Sequence, residues 1–125
     1  IATICRTKYG AYPEYHTSLD DLTVISPSGL YGGYDKIKKA IELLEMNNYY
    51  KVNVLCEPQL GKRGLYPTIS TKTSGAVVAT MMNFLAYADG SNDLIDIANI
   101  IGVQAEELFD IVHKMKVAKL IESKE

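Results

Sequence analysis

Apolar residues recur along this chain first with the spacing of strands and loops, then with the spacing of helices. The run Ile1 to Thr7 is short and β-branched, as a strand buried on both faces would be. Lys8 to Pro13 is a turn-rich loop that leads to Glu14-Tyr15-His16-Thr17-Ser18. Ser26-Pro27 then predicts a helix start, with serine as cap and proline in the first turn. That helix runs to about Met46, with Tyr34, Ile37, Ile41 and Leu44 as its apolar stripe. Gly29, Gly32 and Gly33 leave open whether its first half kinks or whether it begins only at Gly33. Asn47-Asn48 stops it, and Tyr50 to Cys56 alternates as a second strand. Strand, helix and strand together predict a crossover unit with two parallel strands.

Glu57 to Thr73 is irregular and holds the basic pair Lys62-Arg63. Beyond Ser74 the pattern becomes helical. Ala76 to Ala88 is apolar almost all round, which predicts a helix buried on several sides, and Asp89-Gly90-Ser91-Asn92 breaks it. Leu94, Ile97, Ala98 and Ile101 mark the next helix, closed by Gly102. Gln104 to about Val117 follows with the stripe Leu108, Ile111, Val112 and Met115, and Leu120-Ile121 opens a last short strand. Three such helices, a tight turn between the second and third, and then a strand make a helix-turn-helix layout of winged-helix type. The expected class is therefore α+β: a partial α/β piece over residues 1–70 and a winged-helix-like module over 75–125, with the junction near 68–75.

Composition narrows the function classes. With 47% hydrophobic and 22% charged residues the chain is globular rather than disordered. Its formal net charge of −2 gives no bulk attraction to nucleic acid or to an anionic membrane. No apolar run approaches the ~20 residues that span a bilayer. Cys5 and Cys56 lie in apolar runs and read as buried thiols of a reducing compartment, so cytoplasm is the expected location. The chain opens at Ile1 inside an apolar run, which reads as a piece excised from a longer protein.

His16 follows a strand, in a tyrosine-rich loop with Asp20 and Asp21 close behind. Imidazole is the commonest metal ligand, and open sheets place their sites in such loops. The alternative is a loop histidine bonded to Asp20 or Asp21. Tyr9, Tyr12 and Tyr15 either line a substrate pocket or pack the loop down. Arg6 pairs either with a substrate carboxylate or with a structural one. Gly61-Lys62-Arg63-Gly64 lacks the context of a phosphate-cradling loop and reads as a solvated turn, and His113 as a surface residue.

Four strings add a resemblance. Cys5-Arg6-Thr7-Lys8-Tyr9-Gly10, Glu14 to Asp20 (EYHTSLD), Glu57 to Pro67 (EPQLGKRGLYP) and Phe84 to Gly90 (FLAYADG) resemble the carboxy-terminal part of bacterial di-zinc aminopeptidase-like proteins. More narrowly, they are similar to a subfamily associated with surface-polysaccharide biosynthesis that carries a terminal winged helix. The resemblance implies that His16 is the terminal zinc ligand and that Asp20 orients its loop. Arg6, Tyr9 and Tyr15 are the candidate substrate-binding residues beside it. The remaining ligands and the general base would come from the preceding part of the parent protein. In that enzyme zinc polarises a carbonyl and generates hydroxide. One histidine does not hold a catalytic zinc, so this chain alone is expected to be inactive, with no catalytic residue of its own.

The alternative is a non-catalytic interaction or DNA-binding module. A recognition helix meets bases with its amino-terminal residues, which here include Glu106, Glu107 and Asp110. Acidic residues there oppose phosphate, so the expected partner is the rest of the parent protein or a second subunit rather than DNA.

Overall fold

A computed structural model describes residues 3–66 and 74–124. The chain divides into two compact units, Ile1–Leu44 and Glu45–Glu125. The junction expected near 68–75 thus differs from this division, and its residues 68–73 lie outside the described ones. Residues 45–66, grouped by sequence with the first part, belong to the second unit because their side chains enter its core.

Helix α1 spans Pro27–Met46 without a break, with all but its last two residues in the first unit. It starts where the sequence places it. Ser26 Oγ accepts from the Gly29 amide at 3.1 Å, and Pro27 occupies the first turn, where a missing N–H costs nothing. The three glycines therefore neither kink the helix nor delay it. Its stripe is a surprise in the opposite sense: no residue of α1 is buried, and Tyr34, Ile37, Ile41 and Leu44 are all exposed. The strand expected over Ile1–Thr7 does not form in its described part, residues 3–7. A β-branched run becomes a strand only when a neighbour supplies the ladder, and among the described residues none pairs with it. Among the described residues the parallel crossover unit accordingly does not form.

In the second unit β1 (Tyr49–Val52) lies at the centre of a three-stranded antiparallel sheet, between β2 (Asp89–Asp93) and β3 (Ile121–Lys124). Tyr50 pairs with Ser123 and Val52 with Ile121 on one side, and Lys51 with Asp89 on the other. The predicted strand is thus shorter than Tyr50 to Cys56 and antiparallel instead of parallel. Its alternation already suits that arrangement, since Tyr50 is fully buried while Tyr49 and Lys51 face water. Strand β2 is built from Asp-Gly-Ser-Asn-Asp, a composition that reads as a breaker. Pairing with β1 overrides that propensity, and Gly90 permits it by adopting φ 91° under the side chains of Lys51 and Lys124.

Three helices cover the sheet: α2 (Ser74–Tyr87), α3 (Leu94–Ile101) and α4 (Glu107–Val117). Helix α2 buries one face, through Met81, Phe84 and Leu85, rather than the several faces expected. Helix α3 is capped by Asp93, whose Oδ1 accepts from the Asp96 amide at 2.8 Å. It ends at Gly102 in the left-handed region, φ 74°. A Cβ there would touch nothing, so Gly102→Ala tests backbone strain alone. The expected loss is about 1–2 kcal/mol of unfolding free energy, measured by urea denaturation. The stripe Leu108, Ile111, Val112 and Met115 is buried throughout, as its spacing requires. These residues join Tyr50, Leu60, Phe84, Leu94, Ile97 and Leu120 in one continuous core. The α+β class and the helix-turn-helix layout hold.

The cysteines are a further correction. Cys5 and Cys56 are both free and exposed: residues 3–7 form no strand, and Cys56 lies past the end of β1.

Candidate functional site

The His16 loop is a succession of tight turns. The Ala11 amide donates to Lys8 O at 3.0 Å, Thr17 to Glu14 O at 3.1 Å and Asp20 to Thr17 O at 3.1 Å. The Thr17 hydroxyl donates to Glu14 O at 2.9 Å and accepts from the Leu19 amide at 3.2 Å. Side chain and backbone thus hold the Glu14-to-Leu19 stretch from both sides of His16.

His16 itself takes φ 57°, a left-handed conformation that costs a non-glycine residue. Its ring is exposed and lies 4.3 Å from that of Tyr15. Tyr15 also meets Tyr12 edge-on at 5.6 Å and Tyr9 at 6.2 Å. The tyrosines spaced three apart therefore do converge, into an aromatic cluster that ends on the imidazole.

Neither aspartate is bonded to His16 among the described residues. Asp21 instead accepts from the Thr23 hydroxyl at 2.6 Å and the Thr23 amide at 2.8 Å. The hydroxyl bond first, and the amide bond second, hold its carboxyl below the usual carboxylate range. Among the described residues no three His, Cys, Asp or Glu side chains are grouped to hold a metal ion. The donors of this chain therefore do not by themselves fit a zinc site, which needs about three protein ligands.

Arg6 lies close against α1. An alanine Cβ at Gly29 would be 2.8 Å from its Nη1, and one at Gly32 would be 3.9 Å away. Glycines three apart on one helix face were the sequence signal for this close approach, and spacing alone did not reveal what approaches. Arg6 also lines a cavity of ≈410 Å³ together with Tyr12 and Glu14 of the His16 loop.

In the helical module, chemistry is quieter. Arg63 Nη1 donates to Ala118 O at 3.2 Å, so the basic pair secures a loop onto the end of α4 rather than facing solvent entirely. Lys114 pairs with Asp110 one turn earlier, and Lys116 sits 5.1 Å above the Tyr50 ring. His113 is exposed, as expected. The first turn of α4 carries Glu107 and Asp110 and no cation. Strand β3 pairs with β1, a strand preceding the helices, and not with a hairpin partner of its own.

Burial raises the pKa of the Tyr50 hydroxyl above the ordinary tyrosine value. The folded form therefore holds this proton more tightly than the unfolded chain. The stability it contributes is complete below the unfolded pKa and is lost as pH rises through the folded one. Urea midpoints measured between neutral and strongly alkaline pH should fall at the alkaline end, and Tyr50→Phe should flatten that fall.

Comparison with known proteins places both units. A winged helix-turn-helix family matches residues 47–123, and a domain of unknown function (DUF4910) matches residues 1–47. A Clostridium acetobutylicum protein, assigned to polysaccharide biosynthesis and carrying an aminopeptidase-like domain, is 32% identical over 97% of this chain. A crystal structure of a protein from Clostridium acetobutylicum, assigned as a peptidase, superposes on 90% of the chain with a TM-score of 0.75 and 30% identity. The chain spans only 29% of the first relative and 24% of the second. The resemblance read from the four strings is thus matched along nearly the whole chain. No helix of the described residues is long and apolar enough to cross a membrane. With more than half its length matched, and with the three helices and the sheet in the order that fold requires, the chain belongs to the winged helix-turn-helix family.

Proposed function

We propose that this chain is the carboxy-terminal part of a cytoplasmic, zinc-dependent aminopeptidase-like hydrolase acting on an amide, peptide or aminoacyl-sugar substrate. Similarity across 97% of the chain to a protein with an aminopeptidase-like domain carries the reading. In it His16 supplies one imidazole to a zinc whose other ligands and general base lie outside this chain. Two observations support His16: its strained φ of 57°, of a kind concentrated at functional sites, and its place at the end of the tyrosine cluster. Arg6, Tyr9 and Tyr15 face the substrate. The chain by itself carries no catalytic activity.

The apolar stripe of α1 supports a partner in the preceding part of the same protein. A 20-residue helix that buries none of its stripe leaves Tyr34, Ile41 and Leu44 to be covered. In this reading the winged-helix module makes protein contacts, with that part or with a second subunit, rather than reading DNA. The acidic first turn of α4 and the engagement of Lys114 and Arg63 within the module support that choice.

The test is zinc content and amidase activity of the longer protein, with and without His16→Ala. The expected result is loss of one zinc and a fall in activity of at least about a hundredfold. Retention of both zincs by the variant would sink the assignment. The second reading, a DNA-binding module, is favoured by the family match alone, and a salt-dependent DNA shift by the isolated second unit would support it.

A further inference from the structure

We infer that the cavity against the first turns of α1 is a carboxylate-binding site, with Arg6 and Lys36 as its cations and Ile4 and Ile37 as apolar walls. The inference rests on the function proposed above and names a feature of its substrate: an acidic group borne on an apolar body. The cavity measures ≈460 Å³, and Gly32 and Gly33 complete its floor. Two cations line it and no carboxylate does.

Among the described residues neither cation has an ion-pair partner, although Lys38, Lys39 and Lys114 each find one a turn away. Two like charges sharing a cavity without a counter-ion repel one another and attract an anion. The glycines bear on the same point. Each costs a helix about 1 kcal/mol relative to alanine, yet three of them occupy the first seven positions of α1. At Gly29 an added Cβ would lie 2.8 Å from Arg6 Nη1, so a larger residue there makes the guanidinium move. Glycine leaves room for the guanidinium beside the helix, with Arg6 Nη1 next to Gly29 and Gly32 and Arg6 lining the cavity.

The walls select the class of anion. A free phosphate keeps its hydration and gains nothing from Ile4 or Ile37. A carboxylate attached to an apolar group satisfies the guanidinium bidentately and buries its body against the isoleucines.

The metal-free chain, isotopically labelled for amide NMR, is titrated with N-acetyl-leucine, with its neutral amide and with inorganic phosphate. The acid should shift the amides of Gly29, Gly32, Gly33 and Lys36, and bind at least about tenfold more tightly than the amide, as loss of a charge-assisted bond implies. Arg6→Gln should weaken it by about tenfold and Lys36→Gln by a smaller factor. Gly29→Ala is the control for folding, because it should maintain or raise helicity while displacing Arg6 and weakening the acid. Equal binding of acid and amide, wild-type affinity in Arg6→Gln, or tighter binding of phosphate would each overturn the inference. No zinc enters this titration, so its failure is separate from failure of the His16 assignment.

Discussion

Phe84→Ala is expected to remove about 3–5 kcal/mol from the unfolding free energy of the second unit. Phe84 is fully buried in the last turn of α2, and its ring meets that of Tyr50 at 5.9 Å in a tilted pair. The variant loses the transfer free energy of the ring, leaves a cavity between α2 and the central strand, and forfeits the aromatic contact. For a domain holding about 5–15 kcal/mol in all, that leaves marginal stability. Amide hydrogen exchange of β1 and α3 reads it directly, because both elements belong to the same core. Val77→Ala on the exposed part of α2 should change stability by no more than about 0.5 kcal/mol. Comparable losses in the two variants would mean that α2 does not pack as described.

Asn47→Ala should cost about 1–3 kcal/mol, more than a surface asparagine warrants. Its Nδ2 donates to Asp93 Oδ2 at 3.1 Å, and its Oδ1 accepts from the Ile95 amide at 3.0 Å. One side chain thereby anchors both the cap of α3 and one of the helix's unpaired amides. Alanine leaves these half-buried groups without partners. Asn47→Asp makes a sharper test, because it keeps an acceptor for Ile95 while placing a carboxylate against Asp93. Its deficit should shrink as pH falls through the carboxylate range and one of the two takes a proton. A pH-independent deficit would show that the bond to Asp93 does not carry the effect.

Where the sequence alone was sufficient, the cause was local. The start of α1 follows from Ser26 and Pro27, the end of α3 from Gly102, and the buried face of α4 from spacing at Leu108, Ile111, Val112 and Met115. Each of these rests on hydrogen bonds or side-chain directions within one turn. The tyrosine cluster was legible for the same reason, since Tyr9, Tyr12 and Tyr15 are close in sequence and bend together around turns.

Elsewhere the deciding partner was distant. Residues 3–7 have every local attribute of a strand and form none, because a ladder needs a neighbour. Asp89 to Asp93 has none of those attributes and forms one, because Lys51 and Tyr49 pair with it. The same central strand moved the boundary between units to Leu44, since Tyr50 carries its segment into the second core. Asn47 looked like a helix stop and is also a clamp on α3, a role set by residues 46 and 48 positions away.

The amino-acid sequence by itself determined the order of the helices, the start of α1, the end of α3, the α+β class and the kinship with aminopeptidase-like proteins, because periodicity, capping chemistry and short strings are properties of neighbouring residues. The tertiary structure alone decided which apolar runs are buried, how the strands pair, and that Arg6 lies over the glycines of α1. Those depend on long-range pairing, where burial and hydrogen bonding outweigh local propensity by more than the ~1 kcal/mol that separates good strand formers from poor ones.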